Sequence, residues 1–216
     1  MVSLPRTLDA TYERILSAID EENRRQIAGV LEFLAFSGGA TPDQLSEVVC
    51  FNLDDPNNVK FERDRRPLSP HWILEVCSAL IQVKHYQWPY VSQGEVMSTA
   101  DRETVTLSHF SVKEFLTSDR LRNNSNLSDF YLDAKTAHKR IGLCCELYAS
   151  LFKDAMEELE AEYNKVTGGW LSIYPFEPEH SSLPLYPYAK RSATEHLRKA
   201  ESLALVIRPR LPQMRG

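Results

Sequence analysis

The 216-residue sequence has only four cysteines, and no two of them form a CxxC pair. Cys50 and Cys77 stand alone, and the adjacent Cys144 and Cys145 make an awkward disulfide geometry. Each lies in an apolar stretch, so the expectation is buried thiols in a reducing compartment rather than a disulfide framework. No His and Cys stand at ligand spacing, which argues against a zinc site. Long apolar runs are missing too: none approaches the ~18 residues of a membrane span. The beginning, "MVSLPRTLDATYERI", holds no apolar signal core. A cytoplasmic protein without membrane contact is therefore expected. Also missing are GxxxxGK[ST], GxSxG and HExxH, the spacings that cradle phosphate, raise a nucleophilic serine or hold a catalytic zinc. The paired acids Asp54-Asp55 and Glu157-Glu158 read as solvated charge. The chain is expected not to be an enzyme.

What the chain does have is a core. Its hydrophobic fraction is 43% and its aromatic fraction 10%, values of a globular protein. Net charge is −5 and uneven: residues 1–116 carry 11 Lys/Arg against 17 Asp/Glu, residues 117–216 carry 14 against 13. An acidic first half is a poor match for nucleic acid, whose affinity rests on phosphate neutralisation.

Periodicity gives the order of elements. Leu8, Tyr12, Ile15, Leu16 and Ile19 recur at helical spacing after Pro5. Ile27, Val30, Leu31, Leu34 and Ala35 mark a second amphipathic helix, stopped by "SGG" at Ser37–Gly39. "TPDQ" supplies a full start signal, with Thr41 as cap, Pro42 in the first turn and Gln44 closing a capping box. After the acidic loop "NLDDPNN", Ser69-Pro70 opens a helix carrying Ile73, Leu74, Cys77 and Leu80. "LIQVKHY" and "ETVTL" alternate as two strands, with the polar stretch Ser92–Arg102 as a hairpin tip or loop between them. Three helices followed by a two-stranded wing is the order of a winged-helix domain, placed at residues 22–120. A polar joint, "NNSNLS", follows. Ala137, Ile141, Cys144, Cys145, Tyr148, Leu151 and Phe152 then form one apolar helix face, and Met156, Leu159 and Tyr163 extend it or begin another helix. Residues 168–187 hold four prolines and read mostly as loop, and "YAKRSATEHLRKAESLAL" reads as a last helix. The expected fold class is mainly α: a winged-helix domain with a small β-hairpin wing, followed by a helical extension.

His109, in "LSHFSVKEFL", stands where the second wing strand meets a helix. Ser111 is the expected N-cap and Glu114 its capping-box partner. Backbone N–H groups and an imidazole donor converging at such a corner suit a phosphate. The bland alternative is that His109 caps a carbonyl or fills the wing–helix junction. The helix that would enter DNA, "SPHWILEVCSAL", offers no Arg or Lys for base readout, and "KFERDRR" at Lys60–Arg66 reads as a solvated loop. DNA binding is a distant alternative. His138 reads as structural, and His71, His85, His180 and His196 show no partner in the sequence.

Four segments, "LPRTLDATYERIL", "VLEFLAFSGGATPDQLSEVV", "ILEVCSALIQV" and "LSHFSVKEFLTSDRL", follow in order. Together they resemble the region after the NACHT nucleotide-binding domain in fungal signal-transducing (STAND) ATPases. These are proteins of the NACHT–ankyrin repeat, heterokaryon-incompatibility type, and the region is a winged helix similar to that of GPI inositol-deacylase. The resemblance implies residues 1–21 as a helical linker from the end of a NACHT module. It implies residues 129–205 as a helical extension that would precede ankyrin repeats, with 206–216 a disordered tail. It implies a non-catalytic regulatory and interaction module that closes over ADP in an intact parent. His109 would contact the ADP phosphate, Ser111 and Glu114 would set the helix start, and Phe110, Phe115 and Leu116 would be core. The P-loop domain is absent from this chain. ADP or ATP is therefore implied only for the parent, and no cofactor for the isolated chain. Implied partners are a NACHT domain and ankyrin repeats, in cis or in trans, with homo-oligomers also open. The alternative is a stand-alone helical adaptor or remnant protein binding NACHT–ankyrin relatives.

Overall fold

The computed structural model describes residues 6–53, 58–92, 95–167 and 183–206. Helix α1 (Arg6–Ser17) buries Tyr12 and Leu16, and α2 (Glu21–Ser37) buries Ile27, Val30, Leu31 and Leu34. Helix α2 stops where expected, because Gly38 takes φ +88°, a left-handed conformation that side chains resist. Two residues later Ala40 joins the sheet: its N–H donates to the Val105 carbonyl at 3.0 Å and its carbonyl accepts from the Val105 N–H at 2.7 Å. Helix α3 (Pro42–Val48) opens on the expected capping box. Gln44 N donates to Thr41 Oγ1 at 3.2 Å, and Thr41 N donates to Gln44 Oε1 at 3.0 Å.

The region after α3 departs from the sequence expectation. Strands β1 (Phe51–Asn52) and β2 (Lys60–Phe61) pair antiparallel across the acidic loop, followed by a 3-10 turn at Arg63–Arg65. The arginines of "KFERDRR" stay on the surface, with Arg63 and Arg66 exposed, but each has a partner in the fold. Arg65 pairs with Glu62 at 3.2 Å and donates to the Phe51 carbonyl, Arg66 pairs with buried Glu47 at 2.5 Å, and Arg63 lies over the Phe152 ring. Helix α4 (Trp72–Cys77) begins later than Ser69-Pro70 suggested, because Ser69 turns the chain first: its carbonyl accepts from Trp72 N and its hydroxyl from His71 N.

Strands β3 (Ile81–Ser92) and β4 (Glu95–Leu107) form an antiparallel hairpin from Ile81↔Leu107 to Ser92↔Glu95, with a register shift at Tyr90/Val91. The polar stretch expected as a tip is therefore mostly strand. Ladder hydrogen bonds are made by the backbone and are indifferent to side-chain polarity, so pairing can continue outward through a polar sequence. Beyond α5 (Phe110–Leu116) and α6 (Asp119–Arg122), a 3-10 turn at Ser128–Phe130 leads to α7 (Ala134–Leu151), whose N-cap is Asp133. Phe152 ends α7, and Met156, Leu159 and Tyr163 begin a separate helix, α8 (Lys153–Thr167). Pro187 lies within α9 (Tyr186–Val206), while residues 168–182 and the expected tail from 207 lie outside the described residues.

The fold is mainly α, with two antiparallel β-hairpins among the described residues. Its apolar core is continuous from Tyr12 through Val105, Leu127 and Tyr148 to Ala193, so the polar joint "NNSNLS" is spanned by packing. Two ion pairs, each with a buried carboxylate, tie this core together. Glu32 of α2 accepts from both Nε (3.0 Å) and NH2 of Arg140 on α7. Glu47 of α3 holds Arg66 and accepts from the Tyr148 hydroxyl at 3.0 Å. Among the described residues no helix is long and apolar enough to cross a membrane.

Candidate functional site

At the corner between β4 and α5, His109 itself is the N-cap, with extended φ −154° and ψ 155°. Ser111 N donates to His109 Nδ1 at 3.3 Å, and Ser111 Oγ lies 2.7 Å from the same nitrogen and 2.8 Å from Tyr12 Oη. The expected Ser111 cap is thus corrected. An imidazole nitrogen occupies the place of a capping oxygen, and the Ser111 hydroxyl is buried in a relay between α1 and the histidine. Glu114 is solvent-exposed and closes no capping box. Phe110 is also corrected: it is 68% exposed, with its ring 4.1 Å from the imidazole, whereas Phe115 and Leu116 are core.

This wiring fixes the chemistry that the ring offers. A backbone N–H can only donate, so Nδ1 is an acceptor and a neutral ring carries its proton on Nε2. The exposed His109 therefore presents an Nε2–H donor, oriented by its second nitrogen, beside an exposed aromatic face.

A second histidine cluster was not legible in the sequence. His138 of α7 and His196 of α9 are both buried, with their Nδ1 atoms 2.7 Å apart, and Tyr188 Oη lies 2.7 Å from His196 Nε2. Phe36 of α2 packs edge-on against His138 with ring centres 5.1 Å apart. Burial holds His138 below the ordinary histidine range, helped by the cations Lys199 and Lys113. Burial, then His138 and Lys199, push His196 down to about 4. The missed signal was spacing: His196 shares a helical face with Ala189, Ala193 and Ala200, all buried. On the surface, Glu103 of β4 links two more histidines, His71 at 2.7 Å and, across the ladder, His85 at 3.7 Å. His180 lies outside the described residues.

A cleft of about 310 Å³ runs along α2, with Gly29, Phe51 and Leu132 among its walls and Arg65 and Arg140 at its edge. Both guanidiniums already have carboxylate partners, Glu62 and Glu32. Cys50, Cys77 and Cys145 are buried, and burial pushes their thiols up to about 11, 12 and 12. Among the described residues no group of three or more His, Cys, Asp or Glu side chains is placed to hold a metal ion.

Over 147 residues the chain is 29% identical to the azaphilone pigments biosynthesis cluster protein L of Monascus ruber. The match takes in 68% of this chain and 28% of that protein. The chain thus spans little more than a quarter of the length of the curated relative it matches. No protein-family model matches it, and no solved structure does.

Proposed function

We infer that the chain is a non-catalytic regulatory module of a NACHT-type signalling ATPase, closing over ADP in an intact parent through His109. The observation that carries this reading is the locked imidazole: Nδ1 is tied to Ser111 and Nε2–H is presented outward beside exposed Phe110. A donor held in one orientation loses little freedom when a phosphate oxygen meets it, and such a hydrogen bond to a charged group is worth about 1.5–3 kcal/mol. The order α2, Ala40 bridge, α3, α4 and hairpin supports the winged-helix assignment of residues 22–120. The Monascus protein is a longer chain of which the matched segment makes up 28%, which supports a module carried inside a larger protein. That relative's printed name places it in a pigment biosynthesis cluster and states no reaction.

In such a switch the nucleotide binds one arrangement better and shifts the population toward it. The test is ADP release from the parent's NACHT domain, with this chain attached or added. Wild type is expected to slow release, within the roughly 5–150-fold range of ordinary coupling, and His109→Ala to remove most of the effect. An unchanged release rate, or a His109→Ala chain that slows release as well as wild type, refutes the role. A second reading, a helical adaptor that docks on NACHT–ankyrin relatives in trans, rests on the exposed apolar side chains Leu68 and Phe110. It predicts capture of the NACHT domain without any effect on ADP.

A further inference from the structure

Helices α7 and α9 run antiparallel, with His138 against His196 and Cys145 near Tyr188. Small residues line the seam. Ala189, Ala193 and Ala200 are buried on α9, and a β-carbon at Gly142 of α7 would stand 2.7 Å from Leu197 Cγ and Cδ2 and 3.2 Å from the Leu197 amide nitrogen. Backbones this close suit small or apolar side chains, yet two imidazoles are sealed between them.

Three of the four imidazole nitrogens are engaged: the two Nδ1 atoms share one hydrogen bond, and His196 Nε2 shares another with the Tyr188 hydroxyl. With both rings neutral, one Nδ1 carries a proton and the other accepts it. A proton added at any of these three nitrogens must reverse or displace one of those hydrogen bonds. A second proton would set two N–H groups head to head at 2.7 Å.

We propose that this seam is an acid-released latch: α9 stays docked on α7 while both imidazoles are neutral, and protonation detaches α9 from the remaining fold. The surroundings favour release over accommodation. From α9 the pair faces Lys199 and Glu195, which bond each other at 2.7 Å, so Glu195 is already engaged. From α5 it faces Lys113, whose ammonium donates to the Ala35 carbonyl and lies over the Phe36 ring. From α2 the contact is the apolar edge of Phe36. A positive imidazole thus meets two lysines and a single carboxylate that is spent on one of them. Release would uncover apolar surface beneath α9, including Cys145 of α7 and Phe33 of α2, against which Tyr188 packs at 5.1 Å.

The direction of the pH effect follows from linkage. Both folded-state values lie below the ordinary 6.5, so the docking contribution is complete above that value and is lost as pH falls through it toward about 4. Buried Glu32 and Glu47 work the other way. Burial raises both, so their contribution is present at low pH and is lost as pH rises through their folded-state values. Acid should therefore loosen α9 while leaving α2 and α3 in place.

The experiment is amide hydrogen exchange on the full chain near neutral pH and at about pH 4.5, corrected for intrinsic rates, comparing α9 with α3. His196 alone is expected to raise α9 opening on the order of a hundredfold between the two conditions, with α3 far less affected. The double variant His138→Leu/His196→Leu should abolish that selective response. Unchanged α9 protection, equal loosening of α9 and α3, or a response that survives in the folded double variant overturns the latch. Should the double variant not fold, the wild-type imidazoles are titrated by NMR. Both must titrate below the ordinary range, and normal titration of either overturns the proposal.

Discussion

Replacing Arg140 with methionine is expected to destabilise the protein strongly, and replacing Glu32 as well is expected to restore it. Glu32 is 2% exposed, and its carboxylate is answered by two guanidinium hydrogen bonds from Arg140. The Arg140 side chain is itself only 25% exposed, so water supplies little of this pairing. Removing one partner of a buried pair leaves an unanswered charge and typically costs about 3–5 kcal/mol, whereas replacing both by apolar groups is often neutral or stabilising. With a urea m-value of about 2 kcal/mol per molar, the single change should lower the unfolding midpoint by roughly 1.5–2.5 M. Glu32→Leu/Arg140→Met should return it to near the wild-type value. The deficit also carries a pH signature. Burial already raises the Glu32 carboxyl despite Arg140, and losing the guanidinium raises it further. Arg140→Met should therefore approach wild type in mild acid, where Glu32 protonates, and fall furthest behind above neutrality. Urea titrations followed by circular dichroism at two pH values test this. A single variant as stable as wild type, or a double variant no better than the single, would refute the reasoning.

The seam between α7 and α9 predicts that Gly142→Ala lowers stability by about 1–3 kcal/mol despite alanine's better helix propensity, because the new methyl meets Leu197 at 2.7 Å; a thermal melt reads the loss. Thr41→Ala removes the hydroxyl side of the α3 capping box and should cost about 1 kcal/mol, while Gln44→Ala also strips a hydrogen bond to the Pro184 carbonyl. Cys50, Cys77 and Cys145 should react slowly with a thiol reagent at neutral pH in the native protein and fast in urea, since burial both shields them and raises their thiols.

Local signals in the sequence were legible where one residue decides one geometry. Thr41-Pro42 with Gln44 started α3, Gly38 ended α2, and β-branched alternation found Val105 in a strand. Reading failed where two nearby residues competed for one role. Both His109 and Ser111 can cap α5, and the buried Tyr12 hydroxyl decides between them by claiming Ser111. That contact joins residues 99 positions apart, so no local rule contains it. The same holds for His138 and His196, 58 positions apart, which become a pair only after α9 folds back on α7. The long hairpin was missed for a different reason: its outer half is set by backbone pairing rather than by an apolar pattern.

That hairpin also has a mechanical meaning. Strand β3 runs for twelve residues, and at its Ile81 end it is anchored in the core, where Val105 of β4 also exchanges hydrogen bonds with Ala40. At the usual rise per residue the far Ser92–Glu95 pair stands roughly 30 Å from the Val83–Val105 pair at that anchor. The pair of strands is thus a lever with its fulcrum at Ala40. A rotation of about 10° at the base sweeps the far end through about 5 Å, so a small displacement at the core becomes a large one at its outer end.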